Sequence, residues 1–230
     1  MATYVLIPGA GSDSWYWHRV EPLLRDRGHE VVAVDLPSAD DGADLGTYTD
    51  VVVEAIGDRR DLVLVAQSMG GFTAPLVCDR VPVDLLVLVA AMVPVPCEAP
   101  GDWWADTGWE AAKRAAAVAD GRDPDEDDPV ALFLHDVPDA VVAESAGHVH
   151  EQSGTPFVKP WPATGWPAVP TRFLLCRDDR FFPADFQRRV VASRLGIEPD
   201  EMPGGHLPAL AQPDELVARL EGYRAGAGLP

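Results

Sequence analysis

The 230-residue sequence predicts an α/β fold, a mostly parallel sheet flanked by helices and interrupted by an inserted helical segment. Three observations carry that prediction. Five short apolar runs, at residues 4–7, 31–35, 62–66, 85–90 and 172–176, are nearly continuous rather than alternating. Continuous runs of this length are the mark of strands buried on both faces, as in a parallel sheet packed between helices. Helix-like stretches separate the first four runs, which gives the strand–helix–strand order of right-handed crossovers. The rhythm then stops after Met92, and no convincing buried strand returns until about residue 170.

Each element has its own reason. Residues 15–27 place Trp17, Val20, Leu23 and Leu24 on one helical face, with Gly28 as the expected C-cap. Residues 48–57 and 72–81 show similar patterning. Within the interruption, 110–119 is alanine-rich and helical in propensity, and 138–147 supports a second helix. Residues 120–129 combine acids, glycine and prolines and read as a solvated loop. Residues 155–170 carry five prolines and read as an irregular return to the sheet. A last helix is expected over 214–223. The expected division is a core of 1–92 and 169–230, with 93–168 as an inserted lid, or cap, rather than a second domain.

Composition narrows the function. The chain holds 37 acidic and 18 basic residues, a formal net charge of -19. That balance argues against nucleic-acid partners, which need a basic stripe, and against anionic membrane surfaces. No apolar run approaches the ~20 residues of a membrane span. Met1-Ala2-Thr3-Tyr4 lacks the basic start of a signal peptide. Cys78, Cys97 and Cys176 are odd in number, widely spaced and without metal-ligand spacing. The expectation is a protein of a reducing compartment, placed in the cytoplasm, with no metal and no cofactor. Asp123, Asp125 and Asp127 alternate as in a calcium loop, but Asp128 and Leu134 stand where an EF-hand needs glycine and glutamate.

The strongest local signal is Ala66-Gln67-Ser68-Met69-Gly70-Gly71, between a buried strand and a helix. A serine on a sharp strand-to-helix turn needs small neighbours on both sides, because the backbone passes close to its surroundings. This matches the nucleophile elbow G-x-S-x-G, with Ala66 for the first glycine. A plain serine N-cap beside two glycines is the alternative. The elbow requires a base and an orienting carboxylate, in the chain order serine, acid, histidine. The final apolar strand runs into Asp178-Asp179, at the end where open sheets place functional loops. His206 follows in a Gly204-Gly205 turn before the last helix. Of the other histidines, His29, His148 and His150 read as inert solvated side chains, and His18 sits within the first helix. The oxyanion-binding N–H groups should come from Met69 and from the loop Pro8-Gly9-Ala10-Gly11-Ser12. A dinucleotide-binding reading of that loop is weakened by Ser14, where the fingerprint needs glycine, although Asp35 would suit it.

These motifs together resemble the α/β-hydrolase superfamily, and more closely the branch of plant methyl esterases, hydroxynitrile lyases and small bacterial esterases. The matching stretches are Leu6-Ile7-Pro8-Gly9-Ala10-Gly11 with Trp15-Tyr16-Trp17, Gly28-His29-Glu30-Val31 leading to Asp35-Leu36-Pro37, Gln67 to Gly71, 179–186 and Gly205-His206. The resemblance implies an α/β-hydrolase fold with Ser68 as nucleophile, His206 as general base and acid, and Asp179 as the acid. Asp179 is chosen over Asp178 because the spacing to Pro183 fits the family's D-x-x-x-P. It further implies Ala10 and Met69 amides as the oxyanion hole, and Gly9, Phe181 or Phe182, and Leu207 against the substrate. Pro8 replaces the family's usual histidine, a structural position. Leu207 replaces the lysine that the lyases use to hold cyanide, and Gly9 replaces their hydroxyl-bearing residue, so cyanohydrin cleavage is not implied.

The expected activity is hydrolysis of a carboxylic ester or lactone of a small to medium, largely apolar molecule through an acyl-enzyme. The alternatives are a non-hydrolytic reaction on the same triad, or a small-molecule binding protein with a slow one. The lid is expected to carry Trp103, Trp104 and Trp109 either toward the pocket or into packing, and His135 either inward as a polar contact or in a solvated or capping role. Residues 93–156 hold 14 acids and 3 bases, which makes a neutral or cationic substrate the better partner.

Overall fold

The computed structural model describes residues 1–230. In chain order its elements are β1 (Thr3–Ile7), α1 (Val20–Arg25), β2 (Glu30–Ala33), α2 (Leu45–Ile56), β3 (Leu62–Gln67), α3 (Gly70–Cys78) and β4 (Leu85–Val89). Five short helices follow: α4 (Trp103–Thr107), α5 (Trp109–Ala119), α6 (Pro129–Phe133), α7 (Asp139–Ser145) and α8 (Thr155–Val158). The chain then returns through β5 (Thr171–Cys176), α9 (Ala184–Leu195), β6 (Asp200–Met202), α10 (Pro208–Ala211) and α11 (Pro213–Gly226). All six strands are parallel, in the order β2-β1-β3-β4-β5-β6. The chain thus has an α/β architecture: one parallel sheet with helices on both faces.

The unbroken apolar runs are explained by two separate cores, one on each face. Val5, Ile7, Leu62, Leu64, Leu86, Leu88, Phe173 and Leu175 point to the face covered by α2, α3 and α9. Their neighbours Tyr4, Leu6, Val63, Val65, Val87, Val89 and Leu174 point to the face covered by α1 and α11. Successive residues on a strand face opposite ways, so burial on both sides demands an apolar side chain at every position.

The structure departs from the sequence-based expectation in four places. The helix expected over 15–27 is split into a 3₁₀ turn, Ser14–Trp17, and α1. Pro22 is the reason: it lacks an N–H and fits only in the first turn, so the helix cannot extend back through residue 15. The Asp13 carboxylate instead caps the 3₁₀ turn by accepting from the Trp15 amide at 3.0 Å. A sixth strand, β6, was not foreseen, because its residues Asp-Glu-Met bury only Met202. α9 was not foreseen as a whole element either. His29, expected to be solvated, is buried: its Nδ1 accepts from the Ala2 amide at 3.2 Å and its Nε2 faces Glu221 at 3.2 Å. Those partners lie 27 and 192 residues away, beyond any local pattern.

The segment between β4 and β5 is braced on the core at both ends. Glu98 and Arg194 form a buried bidentate ion pair, at 2.6 and 2.7 Å, joining the start of the segment to α9. Near its end, the Trp161 indole donates to the Phe72 carbonyl at 3.0 Å. No helix is long and apolar enough to cross a membrane.

Candidate active site

The loops that matter all leave the carboxyl ends of parallel strands. The loop after β1 and the turn after β3 flank the point where strand order reverses, where an open sheet leaves a crevice. Ser68 occupies that turn with φ +50°, a left-handed conformation that costs a non-glycine residue about 1–3 kcal/mol. Its backbone is pinned there. The Ser68 amide donates to Val89 O at 3.3 Å, and the Ser68 carbonyl accepts from Met92 N at 2.9 Å and Gly71 N at 3.1 Å. The small residues expected around it have a steric cause. A Cβ on Gly71 would fall 1.9 Å from the Met92 carbonyl oxygen, and one on Gly70 would press on Pro8 O and Ile7.

Ser68, His206 and Asp179 converge. His206 Nε2 lies 3.1 Å from Ser68 Oγ, and His206 Nδ1 lies 2.8 Å from Asp179 Oδ2. Asp179 and His206 are both buried. The other Asp179 oxygen, Oδ1, accepts from the Phe181 and Phe182 amides at 2.9 and 2.8 Å. An ionised carboxylate only accepts, so the shared proton sits on His206 Nδ1 and leaves Nε2 free to accept from the serine hydroxyl. Asp178, the competing acid, is exposed and turns the other way, accepting from the Gly204 amide at 2.8 Å. Three aromatic rings, Phe133, Phe181 and Phe182, meet the imidazole edge-on at 5.0–5.4 Å.

The Ala10 and Met69 amides donate to no group of the protein, and both residues line the cavity that opens above Ser68. Unused N–H groups beside a serine hydroxyl suit an incoming anionic oxygen. Gly9 is confined to glycine by its neighbours: a Cβ there would lie 2.4 Å from Gln67 Oε1 and 3.0 Å from Ser68 Cβ. Gln67 is in turn buried and donates to the His206 carbonyl at 3.1 Å.

The cavity encloses about 470 Å³. Gly9, Phe181 and Leu207 line it, as does Trp104, with Met92, Phe133 and Phe157 completing an apolar wall. Trp103 and Trp109 do not. Trp103 is fully buried and donates to Val93 O at 3.1 Å, and Trp109 donates to Phe181 O at 2.7 Å. His135 also lies outside this cavity; it borders a wider, polar groove on the other side of the histidine turn. Burial, its largest influence, holds the His135 imidazole below its ordinary pKa.

Two histidines read as inert are part of the cavity wall. His148 Nδ1 and His150 Nε2 both meet Asp13 Oδ2, at 3.0 and 2.8 Å, and the His148 ring stacks on Trp15 at 4.5 Å. Partial burial works to raise the Asp13 carboxyl, but hydrogen bonds from His150 and His148 outweigh it and hold it below its usual range. The same strand of chain ties to the loop after β1, through His150 N to Gly11 O at 2.9 Å and Gly11 N to Gln152 Oε1 at 3.0 Å. His148, His150 and Gln152 were missed because their partners are 135 to 141 residues distant; only the density of polar residues in 148–153 hinted at a contact. No group of three or more His, Cys, Asp or Glu side chains is placed to hold a metal ion.

Comparison with known proteins bears on the family and the fold. Methylesterase 9 of Arabidopsis thaliana is 25% identical over 264 residues, covering 96% of this chain and 97% of that protein. Norfluorocurarine synthase 1 of a Strychnos species is 22% identical over 249 residues, covering 95% and 93%. The crystal structure of polyneuridine aldehyde esterase superposes with a TM-score of 0.80 at 20% identity, over 97% of this chain and 99% of the other. The model of the alpha/beta hydrolase family matches residues 4–220. The chain therefore belongs to the α/β hydrolase family.

Proposed function

We propose that this protein is a serine esterase that cleaves a carboxylic ester, or a lactone, of a small to medium and largely apolar molecule. The observation that carries the reading is the continuous relay Ser68 Oγ, His206 Nε2, His206 Nδ1, Asp179 Oδ2 at 3.1 and 2.8 Å, opening into an apolar cavity. The methylesterases and the esterase among its relatives support ester chemistry.

The reaction follows from the atoms in place. Ser68 Oγ attacks the ester carbonyl carbon as its proton moves to His206 Nε2. The carbonyl π electrons shift to oxygen, and the Ala10 and Met69 amides bind that oxyanion; one such donor is worth about 3 kcal/mol. Asp179 stabilises the imidazolium and fixes its orientation. The carbon–oxygen bond to the alcohol breaks as His206 returns the proton to the leaving oxygen. Water, deprotonated by His206, then releases the acid from Ser68. Leu207 lines the cavity beside His206 and bears no charge, which disfavours a lyase that must hold an anionic leaving group.

The segment 93–168 serves as the lid, with 1–92 and 169–230 as the core. Trp104, Phe133 and Phe157 from that lid roof the cavity. Its net charge, 14 acids against 3 bases over 93–156, favours neutral or cationic esters over anionic ones. The three cysteines are free, which suits a reducing, cytoplasmic setting. The test is a screen over p-nitrophenyl esters, methyl esters and lactones, with Ser68→Ala as the blank. Turnover of neutral apolar esters that vanishes in the variant is expected. Equal turnover by the variant would refute the assignment.

A further inference from the structure

His206 stands on a turn rather than on a helix or strand. The turn lies between β6 and α10, and Gly204 adopts φ +105° within it. Its position therefore depends on what holds its backbone. Three of its hydrogen bonds come from the core: Gly204 N to Asp178 Oδ2 at 2.8 Å, Asp178 N to Gly204 O at 3.0 Å, and Gln67 Nε2 to His206 O at 3.1 Å. The fourth comes from the inserted segment. Gly205 N, one residue before His206, donates to Asp136 Oδ2 at 2.6 Å.

The contact has no slack. A Cβ on Gly205 would lie 2.7 Å from Asp136 Oδ1 and 2.7 Å from His135 Nε2, so the two side chains rest directly on the Gly205 backbone. The loop carrying Asp136 is itself anchored. Val137 is buried in the sheet core, and Arg180, from the loop bearing Asp179, donates to Ala131 O at 3.0 Å. Phe133, in the same stretch, packs against the imidazole. Asp136 does not border the cavity, whereas Phe133 does.

We propose that Asp136 is a positioning residue for the reaction, through which the inserted segment sets the height of His206 over Ser68. This rests on the esterase reading given above. Asp136 touches no substrate; it acts by accepting the Gly205 amide. Losing that acceptor lets the turn relax away from Ser68, and a displacement near 1 Å in a catalytic group costs on the order of 10²-fold in rate. The proton transfer from Ser68 slows, while the cavity that binds the ester is unchanged.

The test is the pre-steady-state acylation of Ser68 by p-nitrophenyl acetate, read as the burst rate at saturation and the ester concentration giving half that rate. Asp136→Ala is expected to slow the burst by about 10- to 100-fold with the half-saturating concentration within twofold. Asp136→Asn keeps an oxygen for the Gly205 amide and is expected to stay within about threefold of the parent. Asp136→Glu keeps the charge but pushes the acceptor outward by one methylene, and is expected to fall about tenfold. The Asn and Glu variants decide the matter if the alanine variant does not fold. A parental burst rate in Asp136→Ala, an Asn variant as slow as Ala, a Glu variant as fast as the parent, or a loss confined to half-saturation would each overturn the proposal. A burst that persists in Ser68→Ala would instead refute the esterase reading beneath it.

Discussion

Ser68, Asp179 and His206 stand on loops that leave β3, β5 and β6, whereas Trp104, Phe133 and Phe157 stand on a segment that contains no strand. The two regions are held by different means. The strand register, from Thr3 paired with Leu62 to Cys176 paired with Met202, places the first group to within a hydrogen bond. The inserted segment is held by contacts dispersed along it, among them the Glu98–Arg194 pair, the Trp161 indole, the Asp13 carboxylate and Asp136. In the proposed esterase reading, the sheet presents the reactive groups and the insert supplies shape and charge. Changes in the first region should abolish chemistry, and changes in the second should tune it.

That contrast orders the expected effects. Ser68→Ala should lower kcat by on the order of 10⁴-fold or more, since the relay has no other nucleophile. Asp179→Asn should lose about 10³- to 10⁴-fold, because an amide at Oδ2 would favour the wrong imidazole tautomer. Steady-state hydrolysis of one neutral ester measures both. If either variant kept a tenth of the parental rate, the sheet would not be the bearer of the chemistry. Arg194→Met probes the joint between the regions. It leaves Glu98 buried and unpaired and should destabilise the fold by about 3–5 kcal/mol in urea unfolding. A loss under 1 kcal/mol would mean the insert does not depend on that brace.

Smaller effects belong to the insert. Phe133→Ala should raise KM for an aromatic ester about tenfold with little change in kcat, as expected for one apolar wall of a pocket. An unchanged KM would remove the insert from substrate recognition. Smallest of all, replacing Asp123, Asp125 and Asp127 by Asn should raise kcat/KM for an anionic ester by only about twofold at low salt, and not at all at high salt. A salt-independent change would contradict an electrostatic origin.

The same contrast decides what can be read from sequence alone. Strands buried on both faces require apolar residues without interruption, so 62–66 and 85–90 announce themselves. The elbow at Ser68 is legible because its left-handed turn and close packing leave no room for a side chain at 70 and 71. His206 follows from chain order and its loop, whereas Asp179 is separated from Asp178 only by the family resemblance and its D-x-x-x-P pattern. The insert offers no such constraint. Its helices are short, and many of its contacts are single side chains meeting groups distant in sequence, as Asp136 meets Gly205 and His150 meets Asp13. Trp103 shows the ambiguity directly. The adjacent residues Trp103 and Trp104 are chemically identical, yet one packs in the core and the other lines the cavity. β6 escaped notice for the opposite reason, since an edge strand of three residues with one buried methionine carries no periodic signal.

The central claim is that Ser68 becomes covalently acylated. Incubation with a fluorophosphonate, followed by intact-mass and peptide mapping, tests it directly. One adduct per chain, confined to the peptide holding Ser68 and appearing in step with loss of ester turnover, is the predicted result. Full ester turnover by a chain carrying that adduct, or an adduct on another residue that tracks the loss of activity, would contradict it.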